Sequence, residues 1–179
     1  YIKENFTDVN VIHIVRDPRE FVVSYINFIH SRWQSKIANN LIPYWHMPGY
    51  VFDELEKSTW KKLSTFEKLC WSWKLKNALI EELYNTQNNN YLFIRMESLI
   101  NRNTRIETLK NIVQISGLEY IDNSEYFFEK RYNASRLKKI DTWQNWSPEL
   151  ANKLNNICAP LMHKYNYGFE KEWIDKIAI

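Results

Sequence analysis

The stretch Ile14-Val-Arg-Asp-Pro-Arg-Glu-Phe-Val-Val-Ser24 predicts a buried strand, a tight turn and a helix, in that order. The strand part is nearly continuous in apolar, β-branched residues, which is typical of a parallel strand covered on both faces. Those residues are Val9, Val11, Ile12, Ile14 and Val15. Asp17 is a favourable helix cap, and Pro18 suits the first helical turn. The stretch therefore predicts an α/β fold with parallel strands.

Two side chains of this stretch are candidates for binding an anion. Arg16 follows the strand at its carboxyl end, where open α/β sheets bind their ligands, and Ser24 lies about two turns into the helix. A planar guanidinium and a hydroxyl near the start of a helix suit a phosphate dianion. The alternative is an Arg–Asp turn that only fastens the strand to the helix.

The segment Arg16-Asp-Pro-Arg19, followed by Val22-Val-Ser-Tyr25, resembles the 3′-phosphate-binding segment of PAPS-dependent sulfotransferases. PAPS is 3′-phosphoadenosine 5′-phosphosulfate, the sulfuryl donor. The resemblance implies that Arg16 and Ser24 hold the 3′-phosphate of this nucleotide. It also implies a P-loop-type three-layer fold with a parallel sheet, which is incomplete and mostly helical in this chain.

Two later segments resemble the same family in the same order. Arg95–Leu99 is similar to the family's Arg-Tyr-Glu-Asp-Leu segment, with Met96 at the tyrosine that lies near the adenine. Arg136–Trp143 resembles a second nucleotide-contacting stretch, in which Arg136 matches the family's arginine. Lys138 and Lys139 either supply further positive charge there or form a solvated basic run.

The resemblance places the family's lysine-bearing phosphate loop and its general base before Tyr1. The four histidines of this chain do not match that base, so we assign no catalytic residue, and the chemistry requires no metal. His13 lies within the predicted strand, where a core role is expected. We therefore expect one sulfotransferase-like domain over residues 1–179 that lacks its N-terminal phosphate-loop portion.

The composition of the chain narrows the classes of protein to which it can belong. The chain has 179 residues, a formal charge of +3 and 45% hydrophobic residues, which suits a folded domain with one small anionic ligand better than a nucleic-acid binder. No apolar run reaches the length of a membrane span. Two cysteines, Cys70 and Cys158, make neither a disulfide framework nor a metal-ligand spacing, and Cys70 has a core context. We expect a reducing, cytoplasmic compartment.

Several local signals predict further elements. Capping-box patterns at Ser64–Glu67 and Thr104–Glu107 predict two helix starts, and Ser147-Pro148 predicts a third. Tyr91–Arg95 predicts a second buried strand. We also expect a loop over Ile42–Tyr50 and a short helix from Val51 to Lys62.

The three helices with predicted starts also have predicted ends. The first should end near Thr86, the second at Gly117 and the third just before Gly168. The third helix should bury one face, formed by Leu150, Leu154, Ile157 and Leu161.

These observations support a sulfotransferase that transfers a sulfuryl group from PAPS to an acceptor hydroxyl or amine. The alternative is a non-catalytic module that binds a nucleotide or a protein partner. A P-loop kinase relative would need a Walker loop, and that pattern is absent from the sequence. Since two strands do not make a stable parallel sheet, we expect further strands from upstream sequence, from another chain or from irregular segments of this chain.

Overall fold

The computed structural model describes residues 9–32, 55–84, 90–121 and 138–178. These residues are mostly helical, with a small parallel sheet, which agrees with a partial α/β fold. The chain groups into two compact units: the first is Tyr1–Arg16 with Leu79–Arg131, and the second is Asp17–Ala78 with Tyr132–Ile179. A single domain over residues 1–179 stays a prediction.

The elements follow one another in the order that the sequence analysis predicts. They are β1 (Val11–Val15), α1 (Pro18–Arg32), α2 (Lys57–Lys62), α3 (Thr65–Tyr84), β2 (Tyr91–Arg95), α4 (Met96–Ile100), α5 (Arg102–Ile115), a 3₁₀ turn (Trp143–Asn145), α6 (Pro148–Lys164) and α7 (Lys171–Ile177). The expected loop over Ile42–Tyr50 lies outside the described residues. The short helix expected from Val51 begins at Lys57 within the described part of the chain.

The sheet of the first unit pairs β1 with β2 in parallel, in register from Val11 with Tyr91 to Val15 with Arg95. This confirms the second strand and its direction. His13 and Val15 are buried, whereas Ile14 is 47% exposed and Phe93 of β2 is 37% exposed. Side chains alternate between the two faces of a strand. The prediction that the strand is covered on both faces is therefore wrong at Ile14.

The start of α5 corrects the capping box expected at Thr104–Glu107. The helix begins at Arg102, and the side chain of Asn101 caps it by accepting a hydrogen bond from the Asn103 N–H at 2.9 Å. Asn101 is as good a cap as threonine and precedes it, so the helix is already under way at Thr104. The Thr104 hydroxyl instead donates to the Ser98 carbonyl at 2.8 Å. The helix ends before Gly117, which has a φ of 70°, as expected.

The core of the second unit lies where α3 and α6 pack together. Both predicted helix starts are confirmed: Ser64 and Glu67 form a reciprocal capping box, and the Ser147 hydroxyl accepts from the Leu150 N–H at 3.3 Å. The Cys158 thiol donates to the Cys70 carbonyl at 3.6 Å, so the two helices approach closely at these small residues. Both cysteines are free and buried, and burial raises the pKa of the Cys70 thiol.

The buried face of α6 differs in part from the predicted one. Its buried residues are Ala151, Leu154, Cys158 and Met162. Of the four residues expected there only Leu154 is buried, and the other three are half-buried. The predicted and the observed buried residues both have the spacing of one helix face. The face with the small residues Ala151 and Cys158 is the buried one, because α3 packs closely against it.

The turn after α6 contains two left-handed residues, Asn166 with a φ of 64° and Gly168 with a φ of 83°. A Cβ atom at Gly168 would lie 2.8 Å from Cε of Met162, which is fully buried. Glycine is needed here both for the backbone conformation and for the space.

We expect Gly168→Ala to destabilise the second unit by about 2 kcal/mol or more. The left-handed backbone alone costs about 1–2 kcal/mol, and the contact with Met162 adds to this. Denaturant unfolding followed by tryptophan fluorescence measures the effect, since the six tryptophans among the described residues belong to the second unit. Asn166→Ala, in the same turn but exposed, is the control and should cost about 1 kcal/mol or less. Equal losses would contradict the steric argument.

Candidate functional site

The candidate site is built on the N-terminal half of α1. Asp17 caps this helix: its carboxylate accepts from the Arg19 N–H at 2.8 Å, and its carbonyl accepts from the Phe21 N–H at 2.8 Å. Pro18 occupies the first helical position, where its missing N–H costs nothing. The predicted roles of Asp17 and Pro18 are confirmed. Because the helix start is defined, the direction of each later side chain on α1 is defined as well.

Arg19 is the residue of this segment that the sequence analysis missed. It is 1% exposed and binds the Asp17 carboxylate through Nε and Nη2, the latter at 2.6 Å. Its Nη1 and Nη2 also donate to the two carboxylate oxygens of Glu170, at 2.9 and 2.7 Å. A buried charge is tolerated only when it is paired in this way.

Two tryptophan rings complete the surroundings of this guanidinium. The Cζ atom of Arg19 lies 4.4 Å from the ring centroid of Trp143 and 5.0 Å from that of Trp173. The two rings meet edge to face, with centroids 5.7 Å apart. Arg19 thereby connects the start of α1, the 3₁₀ turn and the region where α7 begins. Asp17 and Arg19 thus fasten the start of α1 to the 3₁₀ turn and to Glu170, which is a different contact from the strand-to-helix fastening considered for the Arg16–Asp17 turn.

The structure places the three predicted phosphate ligands as follows. Arg16 belongs to the first unit, where it directly follows β1 and is half-buried. Ser24 belongs to the second unit, on α1, and it is exposed. Arg136 lies outside the described residues, two positions before the described Lys138.

Asn27 of α1, which lies two residues after the first predicted segment, contacts the third predicted segment within the second unit. Its Oδ1 accepts from the N–H groups of Lys139 and Ile140 at 2.7 and 3.0 Å, and its Nδ2 donates to the Ile140 carbonyl at 3.0 Å. Ser24 precedes Asn27 by three residues, so the two lie on the same face of α1, with Cβ atoms about 5–6 Å apart. Residues 138–140, which we call the basic segment, therefore lie beside the helix face that carries Ser24.

The residues that follow the basic segment are also fixed. The Trp146 indole N–H donates to the Asp141 carbonyl at 2.9 Å. Lys176 of α7 donates to the carbonyls of Gln144 and Trp146, at 2.8 and 3.0 Å. Lys138 and Lys139 themselves are exposed. The main chain is thus held while two cationic side chains extend into solvent beside α1.

The segment that resembles the family's adenine-binding stretch lies in the first unit. Arg95 ends β2, and Met96 begins α4 with 37% of its surface exposed. His13 has the predicted core role: it is 3% exposed, and its Nδ1 is hydrogen-bonded to the Tyr91 hydroxyl at 2.6 Å. Burial and the nearby Glu81 carboxylate raise the pKa of Tyr91 to about 12, so this hydroxyl stays protonated at neutral pH.

The described residues contain neither a metal-ligand cluster nor a membrane-spanning helix. Among residues 9–32, 55–84, 90–121 and 138–178, no three histidine, cysteine or acidic side chains are grouped so as to hold a metal ion. Within the same ranges, no helix combines the length and apolar character needed to cross a membrane. Comparison with known proteins gave no match to any family model, curated protein or solved structure.

Substitution of Arg19 should destabilise the second unit strongly. Arg19→Met leaves the Asp17 and Glu170 carboxylates without their shared cation, and we expect a loss of about 3–5 kcal/mol. Arg19→Lys keeps the charge but lacks the planar fork, so its loss should be smaller and still about 2 kcal/mol. Tryptophan-detected unfolding measures both. Lys171→Met, at an exposed position beside Glu170, should change stability by no more than about 0.5 kcal/mol; a similar loss there would refute the role of Arg19.

Glu170 should make the second unit sensitive to acid. Hydrogen bonds from Arg19, opposed by burial, hold the pKa of the Glu170 carboxyl below its usual range. The stabilisation is therefore complete above the ordinary glutamate pKa of about 4.3 and is lost as the pH falls through the lower folded-state value. Because the side chain is 48% exposed, we expect a contribution of about 1 kcal/mol or less at neutral pH.

The matching experiment compares Glu170→Gln with the wild type across this pH range. The variant should be less stable at pH 7, and the difference should shrink as the pH falls through the lowered pKa of Glu170, because both side chains are then uncharged. Glu172→Gln, at an exposed position of α7, is the control and should show no such convergence. If the free energies of unfolding of Glu170→Gln and the wild type differ by the same amount at all pH values, the ionisation of Glu170 does not contribute to stability.

Proposed function

We propose that this chain is the 3′-phosphate-binding part of a PAPS-dependent sulfotransferase with a P-loop-type three-layer fold. In this proposal Arg16, Ser24 and Arg136 bind the 3′-phosphate of PAPS. The enzyme transfers the sulfuryl group to an acceptor hydroxyl or amine and releases adenosine 3′,5′-bisphosphate. The proposal assigns no catalytic base to this chain.

The observation that carries the proposal is the junction at Asn27. The third resembling segment contacts the helix that carries Ser24. Three hydrogen bonds join its residues 139 and 140 to Asn27, which lies on α1 two residues after the first segment and more than a hundred residues earlier in the chain. The resemblance requires that these segments serve one ligand, so their proximity supports it. The match of strand β1, Arg16 and the helix start at Pro18 to the expected order supports it further.

The chemistry of the exposed groups suits a phosphate dianion. Ser24 offers a hydroxyl donor, and Lys138 and Lys139 offer ammonium groups beside the same helix face. Hydrogen bonds between charged donors and phosphate oxygens are short and strong. Adenosine 3′,5′-bisphosphate differs from adenosine 5′-monophosphate only in its 3′-phosphate, the group that these side chains would bind. Discrimination between the two nucleotides is therefore the property that the proposal requires.

A non-catalytic interaction module is the second candidate, and the surface of the first unit favours it. Large apolar side chains there are exposed by about half or more: Ile14, Ile100, Leu118 and Ile121 are 47, 55, 70 and 76% exposed. Such side chains are suited to contact with another protein when they form one patch. We expect residues 1–179 alone to be inactive, so transfer of a labelled sulfuryl group from PAPS by a longer chain that includes the phosphate loop distinguishes the enzyme from this module.

The binding test is a titration of adenosine 3′,5′-bisphosphate against adenosine 5′-monophosphate. We expect the wild type to prefer the bisphosphate by tenfold or more, since a hydrogen bond to a charged group contributes about 1.5–3 kcal/mol. Arg16→Ala should largely abolish the preference while the protein stays folded, and Ser24→Ala should reduce it. Arg102→Ala, at an exposed position of α5, is the control. Equal affinity of the wild type for both nucleotides would overturn the proposal.

A further inference from the structure

We propose that Asn27 is a positioning residue for the bound nucleotide. Its buried amide holds the basic segment beside Ser24 before the ligand arrives, so that Lys138 and Lys139 need not be ordered on binding. This inference rests on the proposed function and adds to it the residue that organises the site.

The argument starts from the cost of burying an asparagine within a helix. Asparagine is a poor helix former, and its amide is costly to bury without hydrogen bonds. Asn27 is 7% exposed in the middle of α1, between Ile26 and Phe28. Its oxygen accepts two hydrogen bonds and its nitrogen donates one, all with main-chain groups of Lys139 and Ile140. The oxygen and the nitrogen of the amide are therefore both hydrogen-bonded to the same segment.

These contacts act on the main chain of the basic segment and leave its side chains to solvent. Because the three hydrogen bonds from Asn27 to residues 139 and 140 go to backbone atoms, they do not depend on which side chains the segment carries. The N–H groups of Lys139 and Ile140 already donate to Asn27, so phosphate binding here falls to the side chains. The segment offers two exposed lysines for this purpose.

Preordering matters for affinity because a ligand otherwise has to order the loop that binds it. Immobilising each long side chain and its backbone on binding lowers the affinity, and a segment that is already held avoids part of that loss. The residues that follow the basic segment have contacts that do not involve Asn27. Trp146 donates to the Asp141 carbonyl, and Trp143 packs against Arg19. Loss of Asn27 should therefore release residues 138–140 without unfolding the second unit.

The experiment measures the ratio of affinities for adenosine 3′,5′-bisphosphate and adenosine 5′-monophosphate in the full chain. We expect Asn27→Ala to lower this ratio about tenfold, to leave the monophosphate affinity unchanged, and to speed amide hydrogen exchange at Lys139 and Ile140. Asn77→Ala is the matched control: Asn77 is also a buried helical asparagine, but its amide donates to Trp73 of its own helix at 2.7 Å. Asn77→Ala should lower stability to a similar degree and leave the ratio as it is.

The outcomes separate this inference from the proposed function. A wild type without preference for the bisphosphate overturns the proposed function. A wild type with the preference, together with an Asn27→Ala variant that keeps the ratio, overturns the role of Asn27 alone. An equal fall of the ratio in both asparagine variants also overturns it, because general destabilisation would then be the cause. If Asn27→Ala does not fold, Asn27→Ser keeps a polar group in the buried position and serves the same comparison.

Discussion

The second unit depends on the paired burial of one guanidinium. Arg19 is closed off from water, so its charge has to be matched where it lies, and the structure does so with Asp17, Glu170 and two tryptophan rings. Removal of a partner from such a group leaves a buried charge, which is far more costly than the loss of a surface ion pair. The pairing fixes the start of α1 against the 3₁₀ turn, and through them the positions of Ser24 and of the connection that begins at Lys138.

The segment from Arg16 to Ser24 contains buried side chains with a structural role and more exposed ones. Asp17 and Arg19 are buried and define the helix start, while Arg16 is half-buried and Ser24 is exposed. The ion pairs and hydrogen bonds of Asp17 and Arg19 account for both of these residues without a ligand. Arg16 and Ser24 remain the side chains of this segment that we propose to bind phosphate.

The two units differ in how their apolar residues are used. The second unit buries large aromatic side chains in edge-to-face pairs, such as Phe66 with Trp146 and Trp73 with Tyr165. In the first unit, α5 buries none of its side chains, and Ile14 of β1 is nearly half exposed. Parallel strands are normally covered on both faces, because their crossover helices pack there. The expectation that the sheet has further strands stays a prediction.

The sequence by itself determined the local structure of this protein. The bounds of β2, the helix starts at Pro18, Thr65 and Pro148 and the stop at Gly117 follow from residues within one turn, which is why they were predictable. The start of α5 was missed because two good caps compete there. Only the tertiary structure decided the roles of Arg19 and Asn27: their partners Glu170 and Ile140 are 151 and 113 residues away. No local sequence pattern predicts such a contact. It forms only when packing brings a carboxylate or a backbone group from a distant part of the chain next to the side chain.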